Sequence, residues 1–333
     1  LRKVIKLKKD KKISKILVFL GFQVVFMLIT VPFFVFYGPF ENVKKAMVGA
    51  SMTTLSHQYI AKAFLPENYI KDILSENKFN IKKQENLEQI KINIKNRNKK
   101  NYIDKYIVKS KRFKGYALII DDPNKVKVGY SSKLGIEGET TSHIAKENNA
   151  IAAINGGAFG YNKKDESWIS TGANPMGILI SHGKNICEDV NENLKMHIMA
   201  FTEEGVLLVG EYTLKELKEL KIRDAISFGP PLIIDGKGTI IKGDGGWGIA
   251  PRTVIGQKKD GSIILLVIDG RQPSSYGASL KDLQQIMLQL GAYNATNLDG
   301  GSSSTMYYQG EILNNPSDPL GERTVPSIVY VEQ

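Results

Sequence analysis

A chain of 333 residues with 42% hydrophobic content can bury a core, which excludes a wholly disordered protein. Its formal net charge of +11 invites a nucleic-acid partner until it is divided along the chain. Residues 1–115 hold 25 Lys/Arg against 8 Asp/Glu, or +17, whereas residues 116–333 hold 20 against 26, or −6. The basic charge therefore lies outside the part that carries chemistry. It suits orientation at a membrane and attraction to anionic lipid or wall polymer better than base readout, so no nucleic acid is expected.

In chain order, residues 1–15, LRKVIKLKKDKKISK, form a basic tail, and Ile16 to Tyr37 follow without a charged residue. That run spans a bilayer as a helix, which places a transmembrane anchor over 16–38. It exceeds a usual signal-peptide core and no A-x-A-like site follows it, which favours an uncleaved anchor. The positive-inside rule keeps the tail in the cytoplasm and the rest outside, so the expected location is a bacterial cell membrane, crossed once. Residues 39–105 then read as a stalk, helical or disordered, with a Lys/Asn-rich run at 76–101.

From about Tyr106 to residue 333 the texture changes to short apolar runs broken by Gly-containing turns. HIMAFTEEGVLLVG, PLIIDGKGTIIKG and TVIGQKKDGSIILLVIDG each predict two strands around a turn. Helices are predicted near His143, from Thr213, and from Ser279, where Asp282 completes a capping box and Gly291 is a stop. The expected fold is one α+β domain of mixed, mostly antiparallel sheets rich in hairpins with a few packed helices.

Three apolar strands end alike, at Asn155-Gly156-Gly157, Asp269-Gly270-Arg271 and Asp299-Gly300-Gly301. Each alone is also an ordinary turn sequence. Three together suggest polar groups presented into one cleft from a rigid scaffold. In NLDGGSSSTM, Asn297 and Asp299 alternate along a strand end and share a face, with Leu298 directed to the core. If Asp260-Gly261 is a two-residue hairpin loop, paired residue numbers sum to 521 and Arg252 lies opposite Asp269, provided no bulge intervenes. Arg271 adds a second guanidinium, and Glu322 and Arg323 enter the last strand. Arginine forks suit phosphate or carboxylate, and an acidic domain needs such local charge to hold an anion.

Other chemistry is sparse. There is no Walker A and no G-x-S-x-G motif. His57, His143, His182 and His197 show no ligand spacing, and the lone Cys187 reads as structural. A nucleophile among Ser302 to Ser304 needs a base, which His143 or His197 could in principle supply; the serines read better as hydrogen-bond donors or turn residues.

Seven ordered motifs, AINGGAFG, NPMGILISHGK, ISFGPPLIIDGK, APRTVIG, VIDGR, NLDGGSSSTM and GERTVPSIVYV, resemble the phosphodiester glycosidase domain family over roughly residues 106–333. The resemblance implies hydrolysis of a sugar-1-phosphodiester at the anomeric carbon, with Asn155, Gly156, Gly157, Arg252, Asp269, Asn297, Asp299, Gly300, Gly301 and Arg323 at or near the site. Read together with the residues themselves, it makes Asp269, Asp299 and Arg252 catalytic candidates. Asn155, Gly156, Gly157, Arg271, Asn297, Gly300, Gly301, Ser302, Glu322 and Arg323 become substrate-binding candidates, with glycine N–H groups holding phosphate. An envelope polysaccharide or glycoconjugate is the expected substrate. No cofactor is required, though the carboxylates suit Ca²⁺ or Mg²⁺. A non-catalytic glycan-binding envelope protein and a metal-dependent phosphodiesterase remain open alternatives.

Overall fold

The computed structural model describes residues 2–53, 57–84, 87–92, 103–160, 171–187 and 190–333. Of the expected stalk, residues 54–56, 85–86 and 93–102 lie outside these. The chain divides into two compact units, Leu1–Ser75 and Glu76–Gln333.

The first unit is helical: α1 (Arg2–Tyr37), α2 (Glu41–Met52), α3 (Gln58–Lys62) and α4 (Glu67–Ser75). Within α1, the 25 residues Ile13–Tyr37 are long and apolar enough to cross a membrane by length and composition. Phe36, Val48, Ala61, Leu65, Ile70 and Ile73 form a small core of its own.

The second unit is built on a seven-stranded antiparallel sheet. Its order is Lys237–Gly238, Pro231–Ile234, Ala292–Leu298, Arg252–Lys258, Ile263–Ile268, Lys114–Ile120 and Ile103–Lys109. Two five-stranded sheets accompany it. One runs Glu311–Ile312, Met306–Tyr308, Ala150–Asn155, Ser327–Glu332, Val126–Tyr130; the other runs Lys184–Asn185, Leu179–Ser181, Asp224–Ser227, Met196–Phe201, Leu207–Tyr212. All three expected hairpins form, with strand pairing at Met196–Phe201/Leu207–Tyr212, Pro231–Ile234/Lys237–Gly238 and Arg252–Lys258/Ile263–Ile268.

Alternation along the strands sorts the side chains into two layers. On one face of the long sheet, Leu118, Ile120, Ile255, Leu265, Val267 and Leu298 pack with Ile154, Met199, Phe201 and Val329 from the other two sheets. The helices of this unit are α5 (Thr141–Glu147), α6 (Leu214–Glu219) and α7 (Leu280–Gln289). On the opposite face of the long sheet, Ile119, Val254, Ile264, Leu266 and Ile268 pack against Leu280, Leu283 and Met287 of α7. The shorter α5 and α6 lie where helices were predicted, capped by Thr140 and Thr213. Both capping-box bonds of α7 are present, from the Ser279 side chain and from Asp282.

Residues 76–84 and 87–92, read from the sequence as stalk, contribute to this second unit. Lys78–Phe79 pairs with Ile240–Lys242, Gln84 bridges the Leu207 carbonyl and the Val209 N–H, and Tyr293 donates to Gln89. Phe79 and Ile81 also pack against the cores, but with the main-chain and amide contacts they form no regular apolar period.

The layers predict a graded response. Ser279→Ala should lower the unfolding free energy of the second unit by about 1 kcal/mol through loss of the cap. Leu283→Ala should lower it by about 2–5 kcal/mol through loss of core packing. Denaturant titration of the full chain, followed through the second-unit transition, measures both.

Candidate active site

The ends of strands Arg252–Lys258, Ile263–Ile268 and Ala292–Leu298 meet the end of Ala150–Asn155, and the site is built from these ends and the loops that leave them. Asn155 is fully buried. Its amide donates to the Asp299 carbonyl (2.7 Å), and its oxygen accepts from Thr253 Oγ1 (2.7 Å) and from the Thr305 N–H (3.2 Å). It therefore positions the loop rather than facing a ligand.

Gly156 and Gly157 serve the same junction. Their N–H groups are engaged by the Ser327 carbonyl and hydroxyl, and a Cβ at Gly157 would lie 2.1 Å from Ile226 Cγ2. The N–H of Gly301 is likewise engaged, by the Pro251 carbonyl, and that of Gly300 by the Asp299 carboxylate. The expectation that these glycine N–H groups hold phosphate is thus corrected: the close approach the glycines permit is to other protein atoms.

The expected pairing of Arg252 with Asp269 is corrected as well. The hairpin pairs Arg252 with Ile268, and Gln257 with Ile263, so paired numbers sum to 520. Its loop has three residues, closed by Gly261 at φ +93°, and the additional residue shifts the register by one. Asp269 falls on the other face, where its carboxylate accepts from Asn314 Nδ2 (3.2 Å) and the Asn315 N–H (2.9 Å). Burial raises the Asp269 pKa, opposed by those two bonds and by Lys114.

Arg252 does face an acidic residue, on its other neighbouring strand. Thr253 pairs with Leu298 and Val254 with Asn297, so the same register carried one residue further sets Arg252 beside Asp299. The guanidinium is buried and donates to the carbonyls of Ala278, Trp247 and Gly248 (3.1, 2.9 and 2.8 Å). Burial, then Arg271, draws its pKa down to about 10.

Asp299 is the electrostatic centre. Part of the residue reaches solvent, while its carboxyl group lies deep among protein atoms. Burial raises its pKa to about 6, opposed by Ser303, Arg323, the Gly300 N–H and Arg271. The buried Ser304 and Thr305 hydroxyls have no hydrogen-bond partner among the described residues.

Arg271 follows Asp269-Gly270 in the left-handed region at φ +59°, a conformation costly to a side chain of its size. That conformation aims its guanidinium at the loop, so that a Cβ on Gly301 would meet it at 3.2 Å. Arg323 donates to Ser302 Oγ at 3.1 Å and lies 4.9 Å over the Phe159 ring. Glu322 turns away and accepts from the N–H and hydroxyl of Ser142 at the start of α5. Arg252, Arg271 and Arg323 thus surround Asp299 electrostatically, with no ion pair to its carboxylate among the described residues.

Among the described residues, one group is arranged to hold a metal ion. Glu139, His143 and Glu147 offer ligand atoms within 4.8 Å of one another, with His143 Nε2 3.1 Å from Glu139 and 3.5 Å from Glu147. The expectation that no histidine has ligand spacing is corrected by this E-x₃-H-x₃-E pattern: His143 and Glu147 lie one turn apart on α5, and Glu139 joins them from the strand Glu139–Thr140 that precedes it. Burial alone would raise the Glu139 pKa, but bonds from Ser131 and Ser132 outweigh it and keep the group ionised lower than usual. An imidazole among the donors departs from the all-oxygen set expected for Ca²⁺ or Mg²⁺.

Known proteins share parts of this sequence and fold. The chain is 37% identical over 78 residues to the SPbeta prophage-derived uncharacterized protein YomE of Bacillus subtilis (strain 168), a match covering 23% of this chain and 12% of that protein. It is 37% identical over 91 residues to the N-acetylglucosamine-1-phosphodiester alpha-N-acetylglucosaminidase of Bos taurus, covering 26% of this chain and 17% of that one. Both matches thus span under a fifth of the relative's length. The catalytic domain of the zebrafish N-acetylglucosamine-1-phosphodiester alpha-N-acetylglucosaminidase, auto-inhibited by its pro-peptide, has the same fold: TM-score 0.60, 20% identity, covering 78% of this chain and 88% of that one. A hypothetical protein from Synechocystis shares the fold at TM-score 0.53 and 18% identity, over 69% of this chain and 61% of that one. The family model of phosphodiester glycosidase matches residues 148–332, more than half of the chain, and the chain belongs to that family.

Proposed function

We propose that the second unit hydrolyses a sugar-1-phosphodiester at the anomeric carbon, releasing free sugar and leaving the phosphate as a monoester on the other partner. The observation that carries this reading is the placement of Arg252, Arg271 and Arg323 around the half-buried Asp299, Arg252 by strand register, Arg271 at Gly301 and Arg323 at Ser302. Arg271 and Arg323 hold the diester anion at the mouth, and Arg252, clamped by three carbonyls, keeps the far side positive. Asp299, ionised, assists attack at the anomeric carbon as base or nucleophile. The C1–O bond to phosphate breaks and its electron pair leaves with the phosphate oxygen. A phosphate monoester is a far better leaving group than a sugar alkoxide, so a single critical carboxylate suffices. Asp269 supports the site through Asn314, which also holds the Ser304 carbonyl and the Met306 N–H.

In this reading α1 anchors the chain in a cell membrane with its basic end in the cytoplasm, and the glycosidase unit acts on an envelope polysaccharide or glycoconjugate outside. The apolar stretch of α1 and the charge division between the two parts of the chain support it.

Product analysis tests the chemistry. The full chain incubated with an N-acetylglucosamine-1-phosphodiester should release free sugar, with the same rate after treatment with a chelator. Release of a sugar phosphate, or loss of turnover with chelator, would point instead to a metal-dependent phosphodiesterase, and saturable binding without turnover to a glycan-binding protein.

Asp299→Asn should lower kcat by about 10²–10⁴-fold, and the wild-type rate should climb through pH about 6 as the carboxylate ionises. The same substitution should stabilise the fold at neutral pH. The folded-state pKa of Asp299 lies above its ordinary value of 3.8, so the unfolded chain binds fewer protons between pH 3.8 and about 6, and stability falls as pH rises through that window. Asp299→Asn should therefore melt higher than wild type at pH about 7.5, with the difference vanishing as pH approaches about 4; thermal melts across pH measure it.

A further inference from the structure

The segment Lys242–Gly248 is a loop in which Gly243, Gly245, Gly246 and Gly248 all have positive φ, between 61° and 95°. Four left-handed residues around one tryptophan place Trp247 in a conformation that few other sequences permit. The loop is pinned rather than slack. Gly246 donates to Asp244, Gly245 donates to Asn77, and the carbonyls of Trp247 and Gly248 hold the Arg252 guanidinium, whose carbon lies 5.9 Å from the indole centroid.

Trp247 is half-buried and meets Phe228 edge to face, at 6.1 Å between centroids and 78° between planes. Phe228 precedes Gly229, whose carbonyl accepts from Asn297 Nδ2 at 3.0 Å. That bond orients the amide and leaves Asn297 Oδ1 as an acceptor with no partner, on a residue only 1% exposed. Alternation puts Asn297 on the same face as Asp299, and the register puts Arg252 there too. The unpaired acceptor and the guanidinium thus share the face of Asp299, and the aromatic pair lies beside them, Trp247 next to Arg252 and Phe228 next to the Gly229 that holds Asn297.

We propose that Trp247, Phe228 and Asn297 form the subsite for the sugar ring of the substrate, a reading that rests on the proposed diester hydrolysis and names its ligand class. A phosphate alone has no use for an indole and a phenyl ring. A pyranose presents one face of C–H groups to an aromatic surface and carries donors around its edge, the mixture of apolar wall and few convergent polar groups that binds small ligands. Asn297 Oδ1 accepts one such donor, a ring hydroxyl or an amide N–H. The sugar of the proposed diester is thereby seated with its ring on Trp247 and its phosphate toward the arginines.

The test uses the full chain with Trp168→Phe, in which Trp247 is the sole tryptophan of the two in the sequence. Titration with N-acetylglucosamine 1-phosphate and with glucose 1-phosphate, and with inorganic phosphate as control, should shift the Trp247 emission saturably for at least one sugar phosphate and not for the control. The tighter of the two identifies whether an amide N–H or a hydroxyl meets Asn297, and Asn297→Leu should abolish that preference. In hydrolysis assays Trp247→Ala should raise KM about tenfold or more with kcat little changed, and Trp247→Phe should restore it. An emission spectrum indifferent to both sugar phosphates, or wild-type KM in both Trp247→Ala and Asn297→Leu, overturns the subsite. A saturable emission shift in a chain that hydrolyses no diester would leave the subsite standing and remove the hydrolytic reading alone.

Discussion

One buried amide holds the second unit together at its functional end. Asn155 closes a strand of one sheet, yet its side chain grips the Asp299 carbonyl, the Thr253 hydroxyl and the Thr305 N–H, all belonging to another sheet or the loop that leaves it. A side chain with no solvent contact must satisfy every polar atom internally, and here doing so fixes the spacing between two sheets. Gly156 and Gly157 are small because this junction leaves no room above Ser327 and Ile226. The position of Asp299 is thus set by packing several residues away from its own carboxylate.

That rigidity is what permits an unfavourable charge arrangement. A carboxyl group pushed up to about 6 by burial, and a guanidinium drawn down to about 10, are each less stable as ions than they would be in water. Arg271 adds backbone strain at φ +59°. None of these features stabilises the fold, and they meet at one spot. Such a concentration is expected where a scaffold holds charges ready for a substrate whose own charge completes the set.

Much of the architecture is legible in the sequence because alternation, turn residues and caps are local. The hairpins around Glu204-Gly205, Asp235-Gly236 and Asp260-Gly261, and the capping box at Ser279, all depend on neighbours within a few residues. The prominence of Asn155, Asp299 and Arg252 is likewise visible as polar groups at strand ends. Their partners are not. The choice between a two-residue and a three-residue loop at 259–261 decides which strand supplies the acid facing Arg252, and Asp-Gly is compatible with both. The direction in which Glu322 and the glycine N–H groups point depends on Ser142, Ser327 and Pro251, which lie far away in the chain. Trp247 carries no sequence signal, because four glycines around a tryptophan resemble a flexible turn until their dihedral angles are known. The E-x₃-H-x₃-E spacing at Glu139 to Glu147 is present in the sequence, but it emerges only when carboxylates are counted beside the histidine.

The three-residue loop closed by Gly261 has a consequence for how this unit can change over time. Because side chains alternate, the length of that loop decides which face of the sheet each residue of the following strand occupies. Adding or removing one residue there would move Leu265 and Val267 from the layer shared with the other sheets to the layer under α7, and would turn Asp269 toward Arg252. The loop tip is exposed at Lys259 and Asp260, where the Asp260 carboxylate accepts from the Ser262 N–H and Lys259 lies over the Tyr293 ring, so a replacement at 260 must keep a short acceptor. Variation among descendants of this chain should therefore run through substitutions at the tip and spare its length, with insertions confined to loops whose flanking strands carry no functional group.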